Sequence, residues 1–432
     1  MPRAFALAML LGLSAPLAHA AEAPDATARA LLDHLDAGRY EQAEALFAPE
    51  MARAVPADKL KAVWESLPAQ VGAATGRGAP IVQAEGAASM VTVPLHYQKA
   101  ELVAKIALGA DGRISGFLIQ PAPPPPAAAP AADAGFGERD FSVGSGATAL
   151  PGTLALPNGT GPFPAVVLVH GSGPNDRDET IGPNRPFLDI ARGLAAQGIA
   201  VLRYEKRTRA RPQDFANKAF TVDDETTDDA VAAVAALAAT PGIDPKRIFV
   251  LGHSQGGMLA PRIARRSGKV AGLVLLAAPA RSLLTILPEQ NRYLLGLDGN
   301  ISPEEQAFLD KLDAQIAAVR GNADAASTDA PLGLPAGYWR SMEAIDPVAD
   351  AKADALPVLL LQGGRDFQVV DTDWQLWKTA FGNDPRAVLK HYPALNHLGI
   401  AGTGVGTLAE YQQPGHVDPQ LIDDVAAWIK AH

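Results

Sequence analysis

The chain has 432 residues, 48% of them hydrophobic and 19% charged, which is long enough for two domains and too apolar for a disordered polymer. Its formal net charge of -10 argues against nucleic acid as a partner, because phosphate binding needs clustered Lys and Arg. It holds no cysteine, which excludes disulfides, thiolate metal sites, a cysteine nucleophile and a lipid-modified cysteine anchor.

Residues 1–20 read as a signal peptide. Arg3 supplies a positive start, and Ala4 to Leu13 is an apolar run too short to span a bilayer. Ala18-His19-Ala20 has the small-x-small pattern of a cleavage site. The mature chain is therefore expected to begin near Ala21 and to be periplasmic or secreted; the plainer alternative is an uncleaved anchor. No later segment reads as a membrane span, since Val270 to Pro279 has only the length of one strand.

Residues 25–120 form a first pattern. Ala30, Leu31, Leu35, Tyr40, Ala43 and Leu46 recur at helical spacing, predicting a helix over Thr27 to Phe47, and a second over Ala57 to Ser66. Strand-like runs follow at Ile81 to Glu85, Ser89 to Tyr97, Glu101 to Leu108 and Ile114 to Gln120. Asp111-Gly112 marks a hairpin turn between the last two. Two helices and a meander suggest a small α+β domain. Residues 121–134, PAPPPPAAAPAADA, favour a stiff polyproline spacer and read as a linker.

From 135 to 432 strands and helices alternate. Predicted strands lie at Pro164 to His170, Ile199 to Arg203, Arg247 to Leu251, Val270 to Ala277, Val358 to Gln362 and Ala387 to Tyr392. Predicted helices lie at Pro186 to Gln197, Asp223 to Ala239, Gly257 to Arg266 and Asp418 to Lys430. Strands apolar on both faces, alternating with helices, imply an α/β domain with a mostly parallel sheet covered on both sides. Acidic residues at Asp223 to Asp229 suit the first turn of their helix. The basic residues Arg203, Lys206, Arg207, Arg209 and Arg211 read as a solvated or salt-bridged surface. Residues 281–350 break the rhythm and read as a helical insertion capping the sheet, or as plain surface helices.

Gly252-His253-Ser254-Gln255-Gly256 is a G-x-S-x-G between a predicted strand and a predicted helix. A serine on so tight a turn stands clear of the sheet, and the flanking glycines leave room for the strained backbone. A serine hydroxyl needs a base, and in this arrangement acid and histidine follow in chain order. Asp366 lies just past Val358 to Gln362, and His397 in the loop after Ala387 to Tyr392. His391, His416 and His253 are rival histidines; Asp371 and Asp373 are rival acids, adequately explained as caps of a helix. An oxyanion needs fixed N–H donors. The backbone of Gln255 is one candidate, and Ser172, favoured over Gly171, is the second, in the loop His170-Gly171-Ser172-Gly173-Pro174. The charged run Asn175 to Glu179 matches no calcium motif and reads as a salt-bridged loop near the mouth.

HGSGP, GHSQGG, the Asp after a strand and the late NHL histidine stand in the order of the α/β-hydrolase superfamily, which the region from Gly135 onward resembles. HGSGPNDRDETIGPN followed by PFLDIARGLAAQGIAVLRYEKRT is similar to a bacterial carboxylesterase group related to dienelactone hydrolases and prolyl-oligopeptidase-like enzymes. Its members often carry an N-terminal α+β domain of unknown function after a signal peptide, to which residues 25–120 are similar. The resemblance implies ester hydrolysis through an acyl-enzyme, a small-molecule ester substrate, and no metal or organic cofactor. A peptidase, a thioesterase or an acyltransferase on the same triad remain open. So does a dead hydrolase serving as a cell-envelope binding protein, although nucleophile and histidine are both present. Leu283, Leu284, Ile286, Leu287, Tyr338 and Trp339 are candidates to hold an acyl chain, or plain core. The partner of the first domain stays unassigned.

Overall fold

The computed structural model describes residues 23–432 apart from 86, 87, 123, 124, 126 and 217. The expected signal peptide, 1–20, lies outside the described residues. The chain divides into two compact units, Met1–Pro124 and Pro125–His432. Among the described residues no helix is long and apolar enough to cross a membrane.

The first unit opens with helices α1 (Pro24–Asp36), α2 (Tyr40–Glu44), α3 (Pro49–Ala54) and α4 (Ala57–Val71). The single helix expected over Thr27 to Phe47 is broken, because Gly38 takes a φ of +68° and ends α1. Five strands follow: β1 (Ala74–Arg77), β2 (Ile81–Glu85), β3 (Ala88–Tyr97), β4 (Glu101–Leu108) and β5 (Ile114–Pro121). They pair antiparallel in the order β1-β3-β4-β5, with β2 also on β3. Along β3 the alternate residues Val91, Val93 and Leu95 are buried, and they pack in one cluster with Leu31, Leu32 and Leu35 of α1. Period two on the strand thus meets period 3.6 on the helix. β1 escaped the sequence reading because ATGR has no buried position.

The second unit begins in the expected linker. The guanidinium of Arg185 donates to the Pro125 carbonyl, and that of Arg192 to Ala128 O at 2.7 Å. An edge hairpin comes next, β6 (Phe136–Val143) and β7 (Leu150–Pro157), which the sequence reading missed. Its outer strand is largely exposed, so it lacks the apolar signal of its neighbours. The alternation then runs β8 (Phe163–Val169), α5 (Pro186–Ala195), β9 (Ala200–Tyr204), α6 (Arg207–Ala210), α7 (Asp228–Ala238), β10 (Ile243–His253), α8 (Gln255–Ser267) and β11 (Gly272–Leu276). Four helices stand between β11 and the next strand: α9 (Leu283–Leu295), α10 (Pro303–Arg320), α11 (Ala336–Glu343) and α12 (Pro347–Asp354). β12 (Val358–Gly363), α13 (Asp371–Phe381), β13 (Ala387–Tyr392) and α14 (Pro419–Ala431) complete the unit.

These strands form one sheet in the order β13-β12-β11-β10-β8-β9-β7-β6. The first six are parallel to one another; β7 and β6 run antiparallel at the edge. Neighbouring residues of β8 feed two different cores. Val166 and Leu168 pack with Phe187 and Ile190 of α5 and Val425 of α14. Val167 and Val169 pack with Val234 of α7 and Leu259 of α8. Each such fully buried aliphatic side chain contributes about 1.5–3 kcal/mol, so the sheet is pinned from both faces.

Two expectations about charge need correction. Arg203 and Lys206 are not on the surface: they are 3% and 1% exposed, because each is paired inside. Arg203 meets Glu138 at 2.5 Å and also Asp178, while Lys206 Nζ meets Glu225 Oε1 at 3.1 Å. The helix expected over Asp223 to Ala239 opens instead with a π turn, Asp223–Thr227, before α7. Asp228 and Asp229 do stand in the first turn of α7, and the acids also bind cations: Asp223 takes Arg262, Asp229 takes Arg207, and Glu225 turns inward.

Candidate active site

Ser254 sits where β10 passes into α8, at φ +52° and ψ -122°. That backbone is strained for a residue with a side chain, and the surroundings hold it there. Its N–H donates to Leu276 O at 2.9 Å, and its carbonyl accepts from the Met258 N–H at 3.0 Å. Both flanking glycines are required. A β-carbon on Gly252 would stand 2.2 Å from Gly256 O, and one on Gly256 would stand 2.1 Å from Val169 O. The G-x-S-x-G spacing is thus dictated by backbone contact with α8 and β8.

Asp366 and His397 follow the carboxyl ends of β12 and β13. His397 Nδ1 lies 2.8 Å from Asp366 Oδ2, with both groups buried. Every lone-pair direction of the carboxylate is used. Oδ1 accepts the N–H groups of Gln368 and Val369 at 2.8 and 2.9 Å, and Oδ2 also accepts Gln362 Nε2 at 3.2 Å. The histidine loop is closed by Asn396, whose Oδ1 accepts the N–H groups of Leu398 and Ile400. His397 stands beside the serine turn: its ring centroid is 4.6 Å from that of His253, the residue before Ser254.

The rival residues have other partners. His391 is in β13 against Trp374, and His416 is exposed on Asp189. Asp373 is fully buried and is not a cap. It accepts the N–H groups of Ala280 and Arg281 at 2.9 and 3.1 Å and the Arg281 guanidinium at 2.8 Å. The capping position of α13 belongs to Val370. Asp371 is exposed and accepts from Gln375 Nε2 at 3.2 Å.

The loop after β8 lies against the elbow, since a β-carbon on Gly171 would come within 3.2 Å of Ser254 Cβ. The Gly171 N–H is engaged, donating to Glu179 Oε1 at 2.6 Å. The N–H groups of Ser172 and Gln255 meet no acceptor among the described residues. Glu179 has a second role that its place in a charged run concealed: its Oε2 stands 2.9 Å from His253 Nδ1. Neither atom has a hydrogen-bond partner among the described residues, so the contact is charge against charge when His253 is protonated. His253 Nε2 reaches the His397 carbonyl at 2.9 Å. Burial pulls the His253 pKa down, but Glu179, the His397 carbonyl and Asp366 together hold the value above the ordinary one. Burial raises Glu179, and His253, His170 and the Gly171 N–H together reverse this, leaving the carboxyl below its usual range. His170, between the rings of Phe187 and Tyr204, is pushed by burial down to about 4. Tyr338 is raised well above its ordinary value, by burial first and by Glu225 second. Elsewhere in the charged loop Arg177 binds Glu205 at 2.8 Å. Among the described residues no group of three His, Asp or Glu is arranged to hold a metal ion.

Ser172 and Gln255 open onto a cavity of about 900 Å³. Its walls include Phe215 and Phe220 and, from the helical insertion, Leu283, Leu334, Tyr338 and Trp339. Leu284 and Ile286, which the sequence offered as acyl contacts or plain core, are not among these walls: Leu284 packs in the core of the sheet domain, and Ile286 is buried. Leu287 packs against the same core.

Comparison with known proteins agrees with this architecture. A family model described as the α/β hydrolase family matches residues 166–416, and a model for a protein family of unknown function matches residues 28–117. The chain is 37% identical over 411 residues to esterase EstD of Thermotoga maritima, covering 94% of this chain and 95% of that one. Among solved structures, Est1E from Butyrivibrio proteoclasticus is 18% identical with a TM-score of 0.44, over 68% of this chain and 99% of that one. The Pyrococcus furiosus esterase Pf2001 is 17% identical with a TM-score of 0.44, over 72% and 97%. With its family model spanning residues 166–416 and a relative matched along nearly its whole length, this chain belongs to the α/β-hydrolase family.

Proposed function

We propose that the protein is a serine carboxylesterase that cleaves small-molecule esters through an acyl-enzyme. The observation that carries this reading is the buried 2.8 Å contact between His397 Nδ1 and Asp366 Oδ2, set beside a serine on a strained elbow. Ser254 is the nucleophile. His397 takes the hydroxyl proton through Nε2 and returns it to the leaving alkoxide. Asp366 holds the ring with Nδ1 protonated and faces the imidazolium as it forms. A water then attacks the acyl-enzyme with His397 as base again. The Gln255 and Ser172 N–H groups receive the oxyanion of each tetrahedral intermediate.

The esterase named among the relatives supports ester cleavage over peptide cleavage. The 900 Å³ cavity, walled mostly by aromatic and aliphatic side chains, suits a bulky apolar acyl or aryl group. With a cleaved 1–20 leader, the enzyme works in the periplasm or outside the cell.

The test is Ser254→Ala, assayed on p-nitrophenyl butyrate with the thermal melt as folding control. Activity is expected to fall by about 10⁴-fold or more with an unchanged melt. A folded variant with parental activity would refute the assignment. A panel of esters, thioesters and peptides on the parent separates the reaction classes, with turnover expected on the esters.

A further inference from the structure

We infer that the buried Lys206–Glu225 pair aims the two oxyanion donors, so that both are positioning residues for acyl transfer. This rests on the serine-esterase reading above.

The Gly171 carbonyl and the Ser172 N–H belong to the same trans peptide, so they point in opposite directions. Whatever holds the carbonyl therefore aims the N–H. Lys206 Nζ donates to Gly171 O at 2.8 Å, and Asn175 Nδ2 donates to it at 3.1 Å. On the other side of Gly171 its own N–H is tied to Glu179 at 2.6 Å. The residue is gripped at both ends while standing against Ser254.

The other half of the pair reaches the second donor. Glu225 Oε1 takes Lys206, and its Oε2 accepts Gln255 Nε2 at 3.0 Å and the Tyr338 hydroxyl at 2.9 Å. Gln255 Nε2 also donates to the Tyr338 oxygen at 3.1 Å. The side chain of the residue whose N–H follows the nucleophile is thereby fixed to the same carboxylate. One ion pair links Gly171 to Gln255, and neither link is available from sequence neighbours.

Energetics point the same way. Lys206 is 1% exposed and Glu225 5%, and burying two charges contributes little net stability compared with apolar residues of equal size. Glu225 is delivered by the π turn at Asp223–Thr227, a local departure from α geometry of the kind found at functional sites. A cation on the Gly171 carbonyl also polarises the peptide, which strengthens the Ser172 N–H as a donor when the oxyanion forms.

The experiment uses the full chain with Lys206→Met and with the double substitution Lys206→Met and Glu225→Gln. Kinetics are read on p-nitrophenyl butyrate, and the dissociation constant is read for phenylboronic acid, which forms a tetrahedral adduct with the serine. In both variants kcat should fall by about 10- to 100-fold, with KM changed less than about threefold. The boronate dissociation constant should rise in step with the loss of kcat. The single variant should melt lower, because it leaves Glu225 buried and unpaired, and the double should recover the melt but not kcat. Recovery of kcat together with the melt would make the pair merely structural and overturn the inference. So would a kcat loss with unchanged boronate affinity. Normal kcat in a folded Lys206→Met, with Ser254→Ala inactive, would sink this inference alone; an active Ser254→Ala would sink it together with the esterase reading.

Discussion

Replacing Asp366 by Asn tests the acid more sharply than removing it. The carboxylate accepts hydrogen bonds from four donors: Gln368 N–H, Val369 N–H, His397 Nδ1 and Gln362 Nε2, at 2.8, 2.9, 2.8 and 3.2 Å. An amide of the same shape has one oxygen to offer. If that oxygen keeps the two backbone N–H groups, the new NH₂ faces His397 Nδ1. The ring must then hold its proton on Nε2, the atom that should receive the one from Ser254. If the amide is turned the other way, its NH₂ collides with two backbone donors, leaving buried N–H groups unpaired at about 1–3 kcal/mol each. The first orientation costs less, so the protein should fold while kcat drops by about 10⁴-fold, equivalent to about 5.5 kcal/mol of transition-state stabilisation. The assay is steady-state hydrolysis of p-nitrophenyl butyrate near pH 7, with a urea titration beside it. Asp373→Asn serves as control. It breaks a buried pair with Arg281 and should lower stability by about 3 kcal/mol, yet keep kcat within about tenfold of the parent. Should Asp366→Asn stay within tenfold of the parent while Asp373→Asn loses four orders of magnitude, the acid has been misassigned.

Two further results are expected. Gly256→Ala places a β-carbon 2.1 Å from Val169 O and 2.6 Å from His170 O, both backbone atoms that cannot turn aside. It should cost about 3 kcal/mol or more, or yield insoluble chain, as read by urea midpoint. His170 is held near a pKa of about 4 by burial, against 6.5 ordinarily. Between those values the unfolded chain binds the proton and the folded one does not, so this group's stability is present above 6.5 and lost as pH falls toward 4. The loss amounts to roughly 3 kcal/mol, and the urea midpoint of His170→Gln should fall less from pH 7 to pH 4.5 than that of the parent. His253 has the opposite sign: its raised pKa adds stability at low pH that fades as pH rises through its folded value. Equal acid sensitivity in parent and His170→Gln would remove His170 from the account.

Much of the architecture was legible because the signals are local. β8 reads FPAVVLV and β12 reads VLLLQG, apolar on both faces along most of their length, and only a sheet covered twice can bury such runs. The places of Ser254, Asp366 and His397, each just past a strand and in the order the elbow arrangement requires, were legible in the chain order. Gly38 was the missed break in α1, since a lone glycine inside an apolar helical pattern does not announce a positive φ. Leu283 and Leu284 are neighbours on one helix, yet one lines the cavity and the other enters the core; helix phase against the sheet domain separates them.

The buried charges were not legible at all. Lys206 stands near Arg207, Arg209 and Arg211, which reach solvent, and Glu225 near Asp223, Asp224 and Asp228, which do too, so composition assigned all of them to one face. Nothing in the chain order links Glu179 to His253, or Asp373 to Arg281. Taken by itself, the sequence determined the parallel sheet, the tight turn at Ser254 and the placing of Asp366 and His397 past strand ends, because hydrophobic period and glycine sterics act over a few residues. Only the tertiary structure decided which charges lie inside, which N–H groups stay free beside Ser254, and which apolar residues face the cavity. Those outcomes depend on distances between segments far apart in the chain, and a charge is tolerated in the interior only where folding delivers its partner.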